Sequence, residues 1–104
     1  YERLGDMHSS LGHLEKALQY FEERSRLGKE LYEKYPQNVV FKNGLAISYF
    51  KLGEFYRDQK KDLTQAKKYF QQCCNLWKEL TTGHPDYAEF QKNFDWVKNA
   101  LEEL

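Results

Sequence analysis

From Leu63 to Leu80 the apolar residues Leu63, Ala66, Phe70, Cys73, Trp77 and Leu80 recur at alternating steps of three and four. That spacing puts them on one face of an α-helix. Asp62 followed by Gln65 fits a capping box at its start, and Gly83-His84-Pro85 ends it. The preceding helix is expected over about Asn38–Asp58, with Val40, Leu45, Tyr49, Leu52 and Tyr56 among its apolar residues. Upstream, the pattern predicts helices over Tyr1–Ser10 and Leu14–Tyr35. A last helix should begin near Asp86, where Glu89 completes another capping box, and run to the end of the chain. Neither strand alternation nor a hairpin signal competes. The expectation is five helices, the first one short.

These helices are copies of one unit. Comparing 14–42 with 63–91, an offset of 49, gives ten identities: Leu14/Leu63, Ala17/Ala66, Tyr20/Tyr69, Phe21/Phe70, Leu27/Leu76, Lys29/Lys78, Glu30/Glu79, Leu31/Leu80, Pro36/Pro85 and Phe41/Phe90. Further upstream Tyr1/Tyr49, Leu4/Leu52 and Gly5/Gly53 coincide at an offset of 48. One residue has therefore been inserted in the turn, where Leu11-Gly12-His13 faces Gln59-Lys60-Lys61-Asp62. Loops absorb such changes easily.

The repeated residues resemble the tetratricopeptide repeat, whose pattern runs aromatic-x-x-Leu-Gly-x-x-Tyr, then Ala-x-x-x-Phe, then Pro. The second unit supplies Tyr49-x-x-Leu52-Gly53-x-x-Tyr56, Ala66-x-x-x-Phe70 and Pro85; the first supplies Tyr1-x-x-Leu4-Gly5-x-x-His8, Ala17-x-x-x-Phe21 and Pro36. Gly and Ala let the paired helices approach, aromatics fill the space between them, and Pro ends the second helix. The resemblance implies an all-α, right-handed superhelical stack of antiparallel helix pairs. Its divisions are a first repeat over 1–36 with a truncated first helix, a second over 37–85, and a closing piece over 86–104. The period exceeds the family's usual length of about 34 residues. Each helix has gained roughly seven residues, about two turns, which lengthens it without rotating its buried face.

The closing piece departs from the pattern. Lys98 stands at the aromatic position and Glu102 replaces the glycine after Leu101. It reads as a terminal cap with one wet face, or as the start of a third repeat. At the other end the truncated first helix should leave Leu27, Leu31 and Tyr32 partly uncovered, to be covered by an upstream segment of the longer protein or, in isolation, by a second copy.

Composition narrows the function classes. Sixteen Lys+Arg balance sixteen Asp+Glu, which gives no electrostatic footprint for nucleic acid or an anionic membrane. Mean hydropathy is -0.90, yet eight Tyr, seven Phe and two Trp supply enough buried area for a core. No stretch approaches the roughly 20 apolar residues of a membrane span. The basic pairs Lys60-Lys61 and Lys67-Lys68 are interleaved with acids and do not make a nucleic-acid surface. His8, His13 and His84 share no ligand spacing with Cys or carboxylate, so no metal, cofactor or catalytic site is expected. Glu22-Glu23 and Glu102-Glu103 read as solvated faces, Cys73 as a core residue, and Cys74 as the more exposed thiol. The chain opens on Tyr1 rather than Met and reads as a piece of a longer protein. Adjacent cysteines that make no disulfide framework favour a cytoplasmic location.

What remains is protein–protein interaction. In tetratricopeptide domains the first helices of the units line the concave face. The resemblance therefore implies a groove of exposed residues: Glu2, Asp6 and Ser9, then Phe50, Lys51, Glu54, Arg57 and Asp58, then Asn99 and Glu103. Its occupant would be a protein or peptide. The family's carboxylate clamp for chaperone tails falls at Glu2, Asp6, Lys51, Trp96 and Ala100, and all five differ from the clamp residues. A tail receptor of that type is disfavoured. The competing expectation is a self-associating or spacer module, with a homodimer formed through the exposed repeat ends.

Overall fold

The computed structural model describes residues 14–104. Four helices follow one another: α1 (Leu14–Lys34), α2 (Val39–Asp58), α3 (Leu63–Gly83) and α4 (Ala88–Glu102). No strand occurs among the described residues. Five helices were expected along the chain; the one over Tyr1–Ser10 lies outside the described residues. α1 packs on α2, α2 on α3 and α3 on α4. The connections, residues 35–38, 59–62 and 84–87, are short enough to hold consecutive helices side by side.

The repeat is visible in the backbone. After α1 the Tyr35 N–H donates to the Leu31 carbonyl and the Asn38 N–H to the Tyr35 carbonyl; after α3, His84 donates to Leu80 and Tyr87 to His84 in the same way. The helix starts then diverge. The Asn38 side chain accepts from the Phe41 N–H and the Asp62 side chain from the Gln65 N–H, so both are N-caps, Asp62 as expected and Asn38 where the helix itself was expected to begin. The expected cap at Asp86 is corrected. Tyr87 is the N-cap of α4 and makes no side-chain cap bond. Its ring instead stacks on Phe90 at 5.3 Å, fixing the entry angle by ring packing.

The core forms where three helices meet. Leu45, Ala46 and Phe50 of α2 join Phe70, Cys73, Leu76, Trp77 and Leu80 of α3 and Phe90, Val97 and Ala100 of α4. A second cluster joins Leu52 and Phe55 of α2 to Ala17 and Phe21 of α1. Thus α2 is apolar on two sides, which follows from its having a neighbour on each. A Cβ at Gly53 would stand 2.6 Å from the Phe70 ring carbons Cδ1 and Cε1, so the glycine permits the closest approach of α2 to α3.

Several expectations about burial are corrected. Leu63 begins the predicted apolar face but is exposed, because the first turn of α3 runs past the end of the packed region. Val40 is 75% exposed because it borders the α1–α2 seam, while Val39 beside it packs against the core. Cys74, expected as the more exposed thiol, is 8% exposed against 0% for Cys73, so both are buried, and the two are not bonded.

Candidate functional site

Of the inner-face residues, Phe50, Lys51, Glu54, Arg57 and Asp58 lie on α2, Asn99 on α4 and Glu103 at the C-cap of α4; Glu2, Asp6 and Ser9 lie outside the described residues. Phe50 is the correction. Expected as exposed, it is buried, its ring 5.4 Å from Phe70, 5.9 Å from Trp77 and 5.1 Å from Trp96. It forms the floor on which other groups sit. Trp96 lies over it with 57% of its surface exposed. Sequence reasoning placed Trp96 at a clamp-equivalent position and omitted it from the groove. The signal for including it was its spacing of three and seven from Asn99 and Glu103, which puts all three on one face of α4.

About two turns further along α2, Arg57 is held in place twice. Its Nε and Nη2 donate to the two carboxylate oxygens of Asp58 at 2.8 and 3.1 Å. Its guanidinium also lies 5.5 Å from the centre of the Phe70 ring. The hydrogen bond to Asp58 raises the Arg57 pKa above its ordinary value, with Glu54 and Glu103 adding to the rise. The same bond holds the Asp58 carboxyl below its ordinary value. Bidentate pairing and ring stacking fix the plane of a guanidinium that an ion pair alone would leave mobile. Lys51 and Glu54 lie next to one another, Nζ to Oε1 at 3.8 Å. The face therefore alternates sign, with two cations and three acids among these described residues.

Chemistry beyond binding finds no set of groups to carry it. Among the described residues no three His, Cys, Asp or Glu side chains gather as metal ligands, and no helix is long and apolar enough to cross a membrane. Burial pushes the Cys73 and Cys74 thiols up, away from the thiolate form a nucleophile needs.

Stacked helices that repeat at 49 residues, with a polar face over an aromatic floor on α2, have the architecture of a helical-repeat interaction domain. The tetratricopeptide repeat family model matches residues 1–23 and 46–76, just over half of the sequence, and the chain belongs to that family. The intervening 24–45 spans the second half of α1 and the start of α2. No curated protein and no solved structure gives a significant match. Tetratricopeptide repeats are in general non-catalytic modules of protein–protein interaction.

Proposed function

We propose that the chain is a scaffold that binds a peptide or protein segment along the inner face of α2 and α4, in a superhelical groove continued by Glu2, Asp6 and Ser9. The observation that carries this reading is Trp96, more than half exposed over a buried Phe50, on a face that also presents a guanidinium fixed by Asp58 and Phe70. Trp and Arg are among the residue types that carry most of the binding energy at protein interfaces. The mixed charge of the face suits a ligand carrying both signs rather than a purely acidic tail. Two unbonded thiols support a reducing, cytoplasmic setting.

The test is affinity capture from cell lysate, comparing the native chain with Lys51→Glu/Arg57→Glu and with Trp96→Ala. All three must first show the same helicity and melting behaviour. A protein held by the native chain and lost by both variants supports the groove. Equal capture by all three removes the inner face as the receptor surface.

A further inference from the structure

A cavity of about 210 Å3 opens between α1 and α3, across α2. Buried Leu45 of α2 and Leu76 of α3 line it, together with the partly buried rings of Tyr32 on α1 and Tyr49 on α2. Lys29 and Glu33 of α1 stand exposed at its edge. It lies away from the inner face: Leu45 and Glu54 are nine residues apart, which turns them to opposite sides of α2.

Described helices bound the cavity on both flanks and beneath. A helix packed on α1 as α2 packs on α3 would meet a different face of α1. The contacts of α2 on α3 fall at Tyr69, Phe70, Trp77 and Glu79. The positions 49 earlier are Tyr20, Phe21, Gly28 and Glu30, and none of them lines the cavity.

Gln72 of α3 gives the cavity its chemistry. Its Oε1 is buried and accepts a hydrogen bond from no described residue. A buried acceptor without a donor carries its full desolvation cost, so a donor arriving with a ligand recovers it. The remaining lining defines that ligand. An apolar cavity of about 150 Å3 takes a benzene ring, so this one has room for a larger ring system. Two tyrosine rings and two leucines suit a flat apolar body. Lys29 and Glu33 carry opposite charges one helical turn apart, which selects neither a cation nor an anion. The chain already makes the required bond elsewhere: the Trp77 indole N–H donates to the side-chain amide oxygen of Asn43 at 2.9 Å, with the Phe50 ring packed against the indole.

We propose that the cavity binds a small, neutral, flat heteroaromatic molecule of the indole class. Its body lies against Leu45, Tyr49 and Leu76, and its ring N–H donates to Gln72 Oε1. The site is separate from the inner face and does not depend on what binds there.

The test titrates indole into the native chain and follows the backbone amides by two-dimensional NMR. 1-Methylindole, which keeps the rings and lacks the donor, is the comparison and needs no variant. Gln72→Leu removes a buried polar atom and keeps the bulk of the side chain, so it should melt no lower than the native chain. The expected result is saturable shifts centred on residues 29–33, 45–49 and 72–76. Binding should weaken about tenfold for 1-methylindole, and about tenfold for indole on Gln72→Leu, the effect of one hydrogen bond left unmade. Arg57→Glu should bind indole as the native chain does. Shifts centred on Trp96 and Arg57 instead would overturn the assignment, as would no saturation by about 10 mM indole. Equal binding of the two ligands, or equal binding of indole by the native and Gln72→Leu chains, would overturn it too, since Gln72 would then hold no donor.

Discussion

At the scale of single residues, contacts with no slack decide what can change. Phe70 is fully buried, so its ring has nowhere to retreat from a Cβ added at Gly53. Overpacking of that kind costs about 1–3 kcal/mol, which exceeds the gain of about 0.5–1 kcal/mol from replacing a helical glycine by alanine. Gly53→Ala is therefore expected to lower the melting temperature. Gly44→Ala, made where nothing stands within 4 Å, should raise it. Asn43 presents the second case. Its Oδ1 accepts from the buried Trp77 indole, so Asn43→Ala leaves that N–H unpaired and is expected to cost about 1–3 kcal/mol in urea unfolding. Of these two devices, Gly53 was legible in the sequence because it sits in a repeated motif. The Asn43–Trp77 bond was not, since a hydrogen bond between residues 34 apart leaves no periodic trace. Phe50 was misread for a related reason. Its place on the inner helix face is where the repeat pattern put it, but the neighbouring α4 brings Trp96 over the ring and buries it.

At the scale of elements, the helices were legible because period and punctuation agreed. Asp62 caps where the capping box was expected, and Asn38, expected as the first residue of its helix, caps it instead. Asp86 does not cap: the N-cap falls one residue later at Tyr87, whose ring stacks on Phe90 and makes no side-chain cap bond. The turn between α2 and α3 holds a further device. Lys61 has φ of 56°, a left-handed conformation that an L side chain adopts at a cost. In the repeat it stands opposite Gly12, the residue type suited to such a backbone. Lys61→Gly is thus expected to raise stability by up to about 1 kcal/mol, and Lys61→Val to lower it, both read from urea midpoints. A similar outcome for the two variants would mean that the turn relaxes in solution.

At the scale of the whole molecule, two features of the stack have measurable consequences. Five titrating groups sit in the packed region: Cys73 and Cys74 in α3, and Tyr49, Tyr56 and Tyr69 between α2 and α3. Burial is the first cause of a raised pKa in each. A raised value means the folded state prefers the neutral form. The stabilisation is fully present below the unfolded values, 9.0 for the thiols and 10.0 for the phenols, and is lost as pH rises through the folded values. The melting temperature is expected to hold to about pH 8 and fall above about pH 9, and a flat profile to pH 11 would mean that these groups titrate as they do in water. The second feature is the inequality of the two units. Leu31 and Leu80 are the same position of the repeat, and nothing in the sequence of either helix separates them; what differs is the cover. Leu80 lies under α2, so Leu80→Ala is expected to cost about 2–5 kcal/mol, the range for emptying a packed site. Leu31 borders the α1–α2 seam, and Leu31→Ala should cost under about 1 kcal/mol, since much of the side chain already faces water. Urea unfolding of the two variants at the same dilute concentration checks the pair. Equal losses would show that Leu31 is packed as closely as Leu80 in solution.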